Sequence, residues 1–203
     1  MIIDKRRESD MTELTDEYIQ KVIVNGNVEH NQTIQLNPYD EKWPALFERE
    51  KERILKILKD KALMIEHIGS TSVPGLTAKP IIDILLVVED AGKEELYVND
   101  LCEHGYILRI KEPDFENHHM FKGPDTDINL HVFSKDSKEI EKYLLFRNYL
   151  RCHADARQLY ENTKKELAKK TWKYVQNYAD AKSEVVQKIL NDAIKERQQM
   201  KEL

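Results

Sequence analysis

The sequence predicts an α+β domain, a mixed β-sheet flanked by helices and closed by a C-terminal helical layer. Three observations carry that prediction. Strand-like runs cluster in the middle of the chain, amphipathic helical patterns lie on both sides of them, and one strand apolar on both faces stands beside a turn-linked antiparallel pair. At 203 residues the chain is long enough for one core without disulfide or metal staples, and a second full domain is not expected.

The first 33 residues read as an N-terminal extension and residues 34–203 as the main domain. "YIQKVIVNG" and "VEHNQTIQL" are extended runs on either side of Asn25-Gly26-Asn27, so a hairpin is expected there. "DEKWPALFEREKERILKILKD" is the first strong helix, with Trp43, Leu46, Phe47, Ile54, Ile57 and Leu58 at helical spacing and Pro44 suited to its first turn. "LMIEHI" and "PIIDILLVV" follow as strands, the second an interior one by its apolar faces. "KEELYVNDLCEHG" is helical with Gly105 as its stop. "YILRI", "HHMFK" and "INLHVF" are strands, the last two joined through Gly123-Pro124-Asp125 as an antiparallel pair. From Asp136, whose spacing to Glu139 resembles a capping arrangement, the pattern is one helix and then two more to the end.

Composition narrows the function. Apolar residues are 40% and charged residues 34%, a soluble globular balance, and the formal net charge of −5 argues against indiscriminate binding to nucleic acid or to an anionic membrane. The two cysteines, Cys102 and Cys152, have no CxxC spacing, which fits a reduced, cytoplasmic chain without a Cys-rich zinc site. The opening "MIIDKRRESDMTELTDE" lacks a signal-peptide core, and no window is apolar enough to span a bilayer.

Chemistry concentrates around one acid. Asp83 stands in a very apolar strand, where an ionised carboxylate must be paired, hydrogen-bonded or metal-bound. Lys79 and Arg109 are the cations a structural ion pair would use; a cleft-facing Asp83 would instead hold a divalent cation or act as a base. The strand before it ends at Gly69, where the backbone can approach a ligand, and Ser70, Thr71 and Ser72 supply hydroxyls and amides suited to phosphate oxygens; a plain connecting loop has the same composition. His67, His118, His119 and His131 lie on neighbouring strands, with Asn129, His131 and Phe133 on one face of theirs. Arg147 and Arg151 are four apart on one helix face, spaced to clamp a phosphate or to pair with Glu139 and Asp155. The basic run "TKKELAKKTWK" reads as a solvated helix face.

Taken together, "HIGSTSVPGLTAKPIIDI", "LNPYDEKWPALFEREKERI", "NLHVF" and "LLFRNYLRCH" resemble the GrpB family of the nucleotidyltransferase-like superfamily, over roughly residues 34–175. The resemblance implies a nucleotidyltransferase-like fold, a Gly-Ser turn that cradles nucleotide phosphates, and acids that hold divalent metal for in-line transfer. Gly69, Ser70 and Asp83 fall on the superfamily pattern; Leu85 replaces the second acid. The metal, magnesium, manganese or zinc, would then rest on Asp83, His131 and His118 or His119, and the phosphates on Gly69, Ser70, Thr71, Ser72, Lys79, Arg147 and Arg151. The expected partner is a nucleotide or phosphorylated small molecule. The activities this implies are nucleotidyl transfer, binding by a catalytically degenerate regulatory module, or metal-dependent phosphohydrolysis.

Overall fold

The computed structural model describes residues 16–24 and 30–201. Its centre is a five-stranded sheet of β1 (Met64–Ile68), β2 (Ile82–Val88), β3 (Ile107–Glu112), β4 (His118–Lys122) and β5 (Ile128–Ser134), in the order β1-β2-β5-β4-β3. β2 and β5 run parallel, and the remaining neighbours are antiparallel, so the sheet is mixed. The helices are α1 (Asp16–Val22), α2 (Trp43–Leu58), α3 (Val98–Glu103), α4 (Lys138–Cys152), α5 (Ala154–Ala168), α6 (Val175–Asp180) and α7 (Ser183–Lys201).

Side chains alternate across the strands, so one register decides what each face can do. Ile82, Ile84 and Leu86 of β2 align with Ile128, Leu130 and Val132 of β5, and they pack with Phe121 of β4 against Trp43, Phe47, Ile54 and Leu58 of α2. That face is a closed apolar layer. On the other face Asp83 aligns with Asn129 and Leu85 with His131. Leu85, Val87 and Phe133 cover the far end of this face with Tyr143, Phe146 and Leu150 of α4, Tyr160 of α5 and Val186 and Ile189 of α7. The helical layer stops short of Asp83 and Asn129, and a cleft opens over them.

Three sequence expectations are corrected. Tyr18 to Val22 belongs to α1 and not to a strand: Ile19 and Val22, three apart, are buried on one helix face. Ile23 then bridges to Ile110 at the β3 edge, while Gln32 bridges to Trp172, so among the described residues the two runs pair with different partners. The Asn25-Gly26-Asn27 turn lies outside the described residues. At the C-terminal side, three helices follow α4 where two are expected, because Lys169 to Tyr174 separate α5 from a short α6. The cap of α4 is Ser137, whose hydroxyl accepts from the Glu139 amide at 3.2 Å, one residue beyond Asp136.

Candidate functional site

The turn after β1 is shaped by contact with Asp83. Gly69 has φ 69°, and a Cβ added there would overlap the Asp83 carboxylate and lie 2.9 Å from the Asp83 Cβ. Only glycine lets the acid sit against the turn. The hydroxyls that follow are not equivalent. Ser72 donates to the Gly69 carbonyl at 2.6 Å, and Thr71 donates to the Ile81 carbonyl at 3.2 Å. Because the Thr71 proton is committed, its oxygen accepts from His67 Nε2 at 3.0 Å, with the His67 ring stacked on Phe47. Burial pushes His67 down to about 4, so it is neutral and serves as a donor that fixes the loop. Thr71 and Ser72 are buried in the turn, whereas Ser70 is half-buried, lines the cleft and shares a hydrogen bond with Tyr160.

The cleft has a volume of about 530 Å³, within the usual range for small-molecule sites. Gln32, Ile34 and Leu36 form one wall, β2 to β5 the floor, and α5 and α6 the other wall. Among the described residues, the cations on its lining are Lys79, Lys122, Lys164, Lys182 and Arg109, against the acids Asp83 and Asp127. Lys122 is paired with Asp127 at 2.9 Å. The cleft is therefore strongly cationic inside a chain of net charge −5.

Two of those lysines are buried, at 2% exposure for Lys164 and 8% for Lys182. Burial pushes both down to about 7, helped at Lys164 by the charge of Lys182 and at Lys182 by that of Lys79. Burial also lowers Lys79. Lys164 donates to the Thr77 carbonyl and sits 4.9 Å from the Tyr160 ring centre, while Lys182 and Lys79 lie 4.6 and 5.8 Å from that of Tyr178. No sequence expectation included Lys182, and Lys164 entered only as part of the basic run read as a solvated helix face. A signal for Lys164 existed: Tyr160, Lys164 and Ala168 are spaced four apart and form the buried stripe of α5. The basic run is therefore not uniformly solvated.

Asp83 is hydrogen-bonded and not ion-paired with Lys79 or Arg109 at contact distance. Asn129 Nδ2 donates to its Oδ1 at 2.8 Å, and His131 Nε2 lies 3.8 Å away. Burial opposes ionisation of this carboxyl, and the Asn129 hydrogen bond favours it. His118 shares this face, as the β4–β5 register requires: Met120 aligns with His131 and Lys122 with Asn129. His118 is fully buried, with Nδ1 2.7 Å from Glu112 Oε2 and Nε2 3.0 Å from His131 Nδ1. His119 points to the opposite face, where its Nδ1 meets the Asn117 carbonyl and its ring packs against Tyr97.

This donor set does not fit a metal held by the protein. No group of three or more His, Cys, Asp or Glu side chains converges for one among the described residues. His119 is on the wrong face, both nitrogens of His118 are engaged, and Leu85 is fully buried in the apolar layer beneath α4. Arg147 and Arg151 are also not brought to the cleft. Arg147 pairs with Glu66 at 2.7 Å and donates to the His67 carbonyl at 2.9 Å; Arg151 donates twice to the Ser72 carbonyl, at 2.9 and 2.7 Å. The two arginines brace the Gly69–Ser72 turn from behind.

Comparison with known proteins bears on the family and the fold. Residues 33–192 match the family described as GrpB protein. The chain is 55% identical over 185 residues to the UPF0157 protein BH1888 of Halalkalibacterium halodurans, covering 91% of this chain and 95% of that one. It superposes on the crystal structure of the conserved protein GrpB from Enterococcus faecalis with a TM-score of 0.71 and 34% identity, covering 80% of this chain and 99% of that one. The poly(U) polymerase Cid1 is a more distant likeness, with a TM-score of 0.47 and 13% identity over 66% of this chain and 43% of that one.

Proposed function

The chain belongs to the GrpB family, and from that premise we propose that its cleft binds a nucleotide or another phosphorylated small molecule. One observation carries the reading: buried Lys164 and Lys182, with Lys79, face a Gly-Ser turn and one carboxylate across a cleft of about 530 Å³. Two ammonium groups held together in a poorly hydrated site repel each other, and a multiply charged anion is the partner that relieves the repulsion. Phosphate fits because lysine recognises it as a point charge, whereas Ser70 adds a hydroxyl at close range. The apolar parts of the lining, Ile34, Leu36 and Tyr174, suit the less polar remainder of such a ligand.

For a nucleotide, the lysines would offset the charge of the terminal phosphates. In a transfer reaction they would also offset the charge that builds on a departing pyrophosphate. Asp83 stands across from them as the group nearest a reacting centre. Leu85 favours a second reading, a module that binds without transfer, since the position two residues beyond Asp83 contributes to the core and not to the cleft.

Calorimetric titration with the four nucleoside triphosphates and with inorganic pyrophosphate tests the binding claim. Saturable heat from at least one of them, lost in the Lys164→Ala/Lys182→Ala variant, is expected. No heat with any of the five ligands, or equal affinity in the variant, overturns it. Formation of a nucleotidyl adduct on an acceptor would separate transfer from binding alone.

A further inference from the structure

The buried polar groups behind Asp83 form a chain that phosphate binding does not require. Glu112, His118 and His131 are 2%, 0% and 3% exposed, respectively. They come from three adjacent strands, and they meet because Glu112 aligns with His118 and Met120 with His131. Glu112 Oε2 lies 2.7 Å from His118 Nδ1, His118 Nε2 lies 3.0 Å from His131 Nδ1, and His131 Nε2 faces Asp83 Oδ1 at 3.8 Å. Glu112 also receives the Tyr18 hydroxyl at 2.9 Å, from α1.

The order of hydrogens along the chain follows from its Glu112 end. Glu112 accepts from Tyr18, and as a carboxylate it takes a second hydrogen from His118 Nδ1. His118 Nε2 is then bare and accepts from His131 Nδ1. That leaves His131 Nε2 bare, buried and without a hydrogen-bond partner, aimed at Asp83. A buried acceptor with no partner is costly, and such a group calls for an explanation. The rings of Tyr143 of α4 and of His118 pack beside His131, with Asp83 on its Nε2 side and Glu112 behind His118.

We propose that Asp83, His131, His118 and Glu112 form a proton relay, with Asp83 as the catalytic base at the cleft and the other three as positioning residues. This rests on the reading of the cleft as a site for a phosphorylated ligand and names its chemistry: removal of a proton from a hydroxyl, of water or of an alcohol, that attacks the ligand's phosphorus. The hydroxyl loses its proton to the Asp83 carboxylate while its oxygen forms a bond to the α-phosphorus of a nucleoside triphosphate. The bond from that phosphorus to pyrophosphate breaks, and pyrophosphate leaves with the electron pair. The proton then passes to His131 Nε2; as His131 gains it, His131 Nδ1–H shifts to His118 Nε2 and His118 Nδ1–H to Glu112. The 3.8 Å gap exceeds hydrogen-bond distance, and one shared proton would draw it closed.

The test joins nitrogen-15 NMR of the imidazoles to kinetics. In the free protein near neutral pH, both His118 and His131 should carry hydrogen on Nδ1, with His131 Nε2 bare. Glu112→Gln should keep those tautomers and lower the proton affinity of His131 about tenfold, whereas His119→Gln, on the same strand but the opposite face, should leave it unmoved. Hydrogen on Nε2 of His131, or a His131 titration indifferent to Glu112→Gln, overturns the relay. In pyrophosphate release from the nucleoside triphosphate that binds, Glu112→Gln should cut kcat about tenfold with KM unchanged. A change in KM alone, or binding by the wild type with no release, overturns the catalytic role while leaving the binding reading in place. Absence of binding overturns the binding reading and with it the assignment of Asp83, whereas the tautomer result still decides the relay.

Discussion

The two faces of one sheet are built from alternate residues of the same strands and have opposite characters. His119 and His118 are neighbours in sequence, yet His119 packs beside Tyr97 in the closed layer, and His118 joins Glu112 and His131 behind the cleft. On the closed face Trp43, Phe47, Ile54 and Leu58 of α2, with Tyr97, Leu101 and Tyr106, seal the apolar layer. On the other face the helical layer covers Leu85, Val87 and Phe133 but leaves Asp83 and Asn129 facing open space. The difference teaches that function here was made by withholding cover from one end of one face. The closed face holds the sheet together; the open face can therefore carry a carboxylate, buried lysines and an unsatisfied histidine nitrogen.

That contrast can be broken from either side. The largest effect should come from the closed face: Phe121→Ala, a fully buried ring, should cost about 3–5 kcal/mol of unfolding free energy in urea while leaving ligand affinity within about twofold. Next, Lys164→Ala/Lys182→Ala should weaken nucleoside triphosphate or pyrophosphate binding by about a hundredfold, roughly 2.7 kcal/mol, without loss of stability. A large stability loss there would mean the lysines hold the fold and not the ligand. Gly69→Ala, strained at φ 69° and set against Asp83, should cost about 2 kcal/mol of stability and also reduce affinity, because the turn joins both roles.

A pH dependence of about tenfold is the smaller prediction. Lys164 and Lys182 titrate at about 7 in the folded chain, below the ordinary lysine value of 10.5. Above about pH 7 they shed protons, so affinity for a phosphate should fall between about pH 6 and about pH 9, with proton uptake on binding. Stability without ligand should move the other way. Below about 7 both lysines are charged in both states and their burial cost is present in full; between that point and the ordinary lysine range the unfolded chain holds more protons, so stability rises with pH.

Much of the fold was legible in the sequence because hydrophobic period and turn chemistry are local. The apolar run around Asp83, the Gly123-Pro124-Asp125 turn and the stripe of α2 each name their own element. The N-terminal run was not, since "YIQKVIV" is β-branched and extended by composition but becomes helical where Ile19 and Val22 dock beside β3. The site divides in the same way. Gly69, Ser70 and Asp83 could be placed together because one short segment carries them, with the family pattern to align them. Lys164 and Lys182 could not, because a lysine on a helix looks solvated until the fold shows which lysines point inward. Arg147 and Arg151 do share a helix face, as their spacing predicts, but spacing says nothing about what that face meets, and it meets the back of the turn.

The most direct test of the central claim is the protonation of Lys164 and Lys182, followed by NMR of their Nζ atoms with and without pyrophosphate or the bound nucleotide. In the free protein both should titrate near pH 7, and ligand should raise them by at least about two units toward the ordinary range. Titration near 10.5 in both states, unmoved by ligand, would contradict the account.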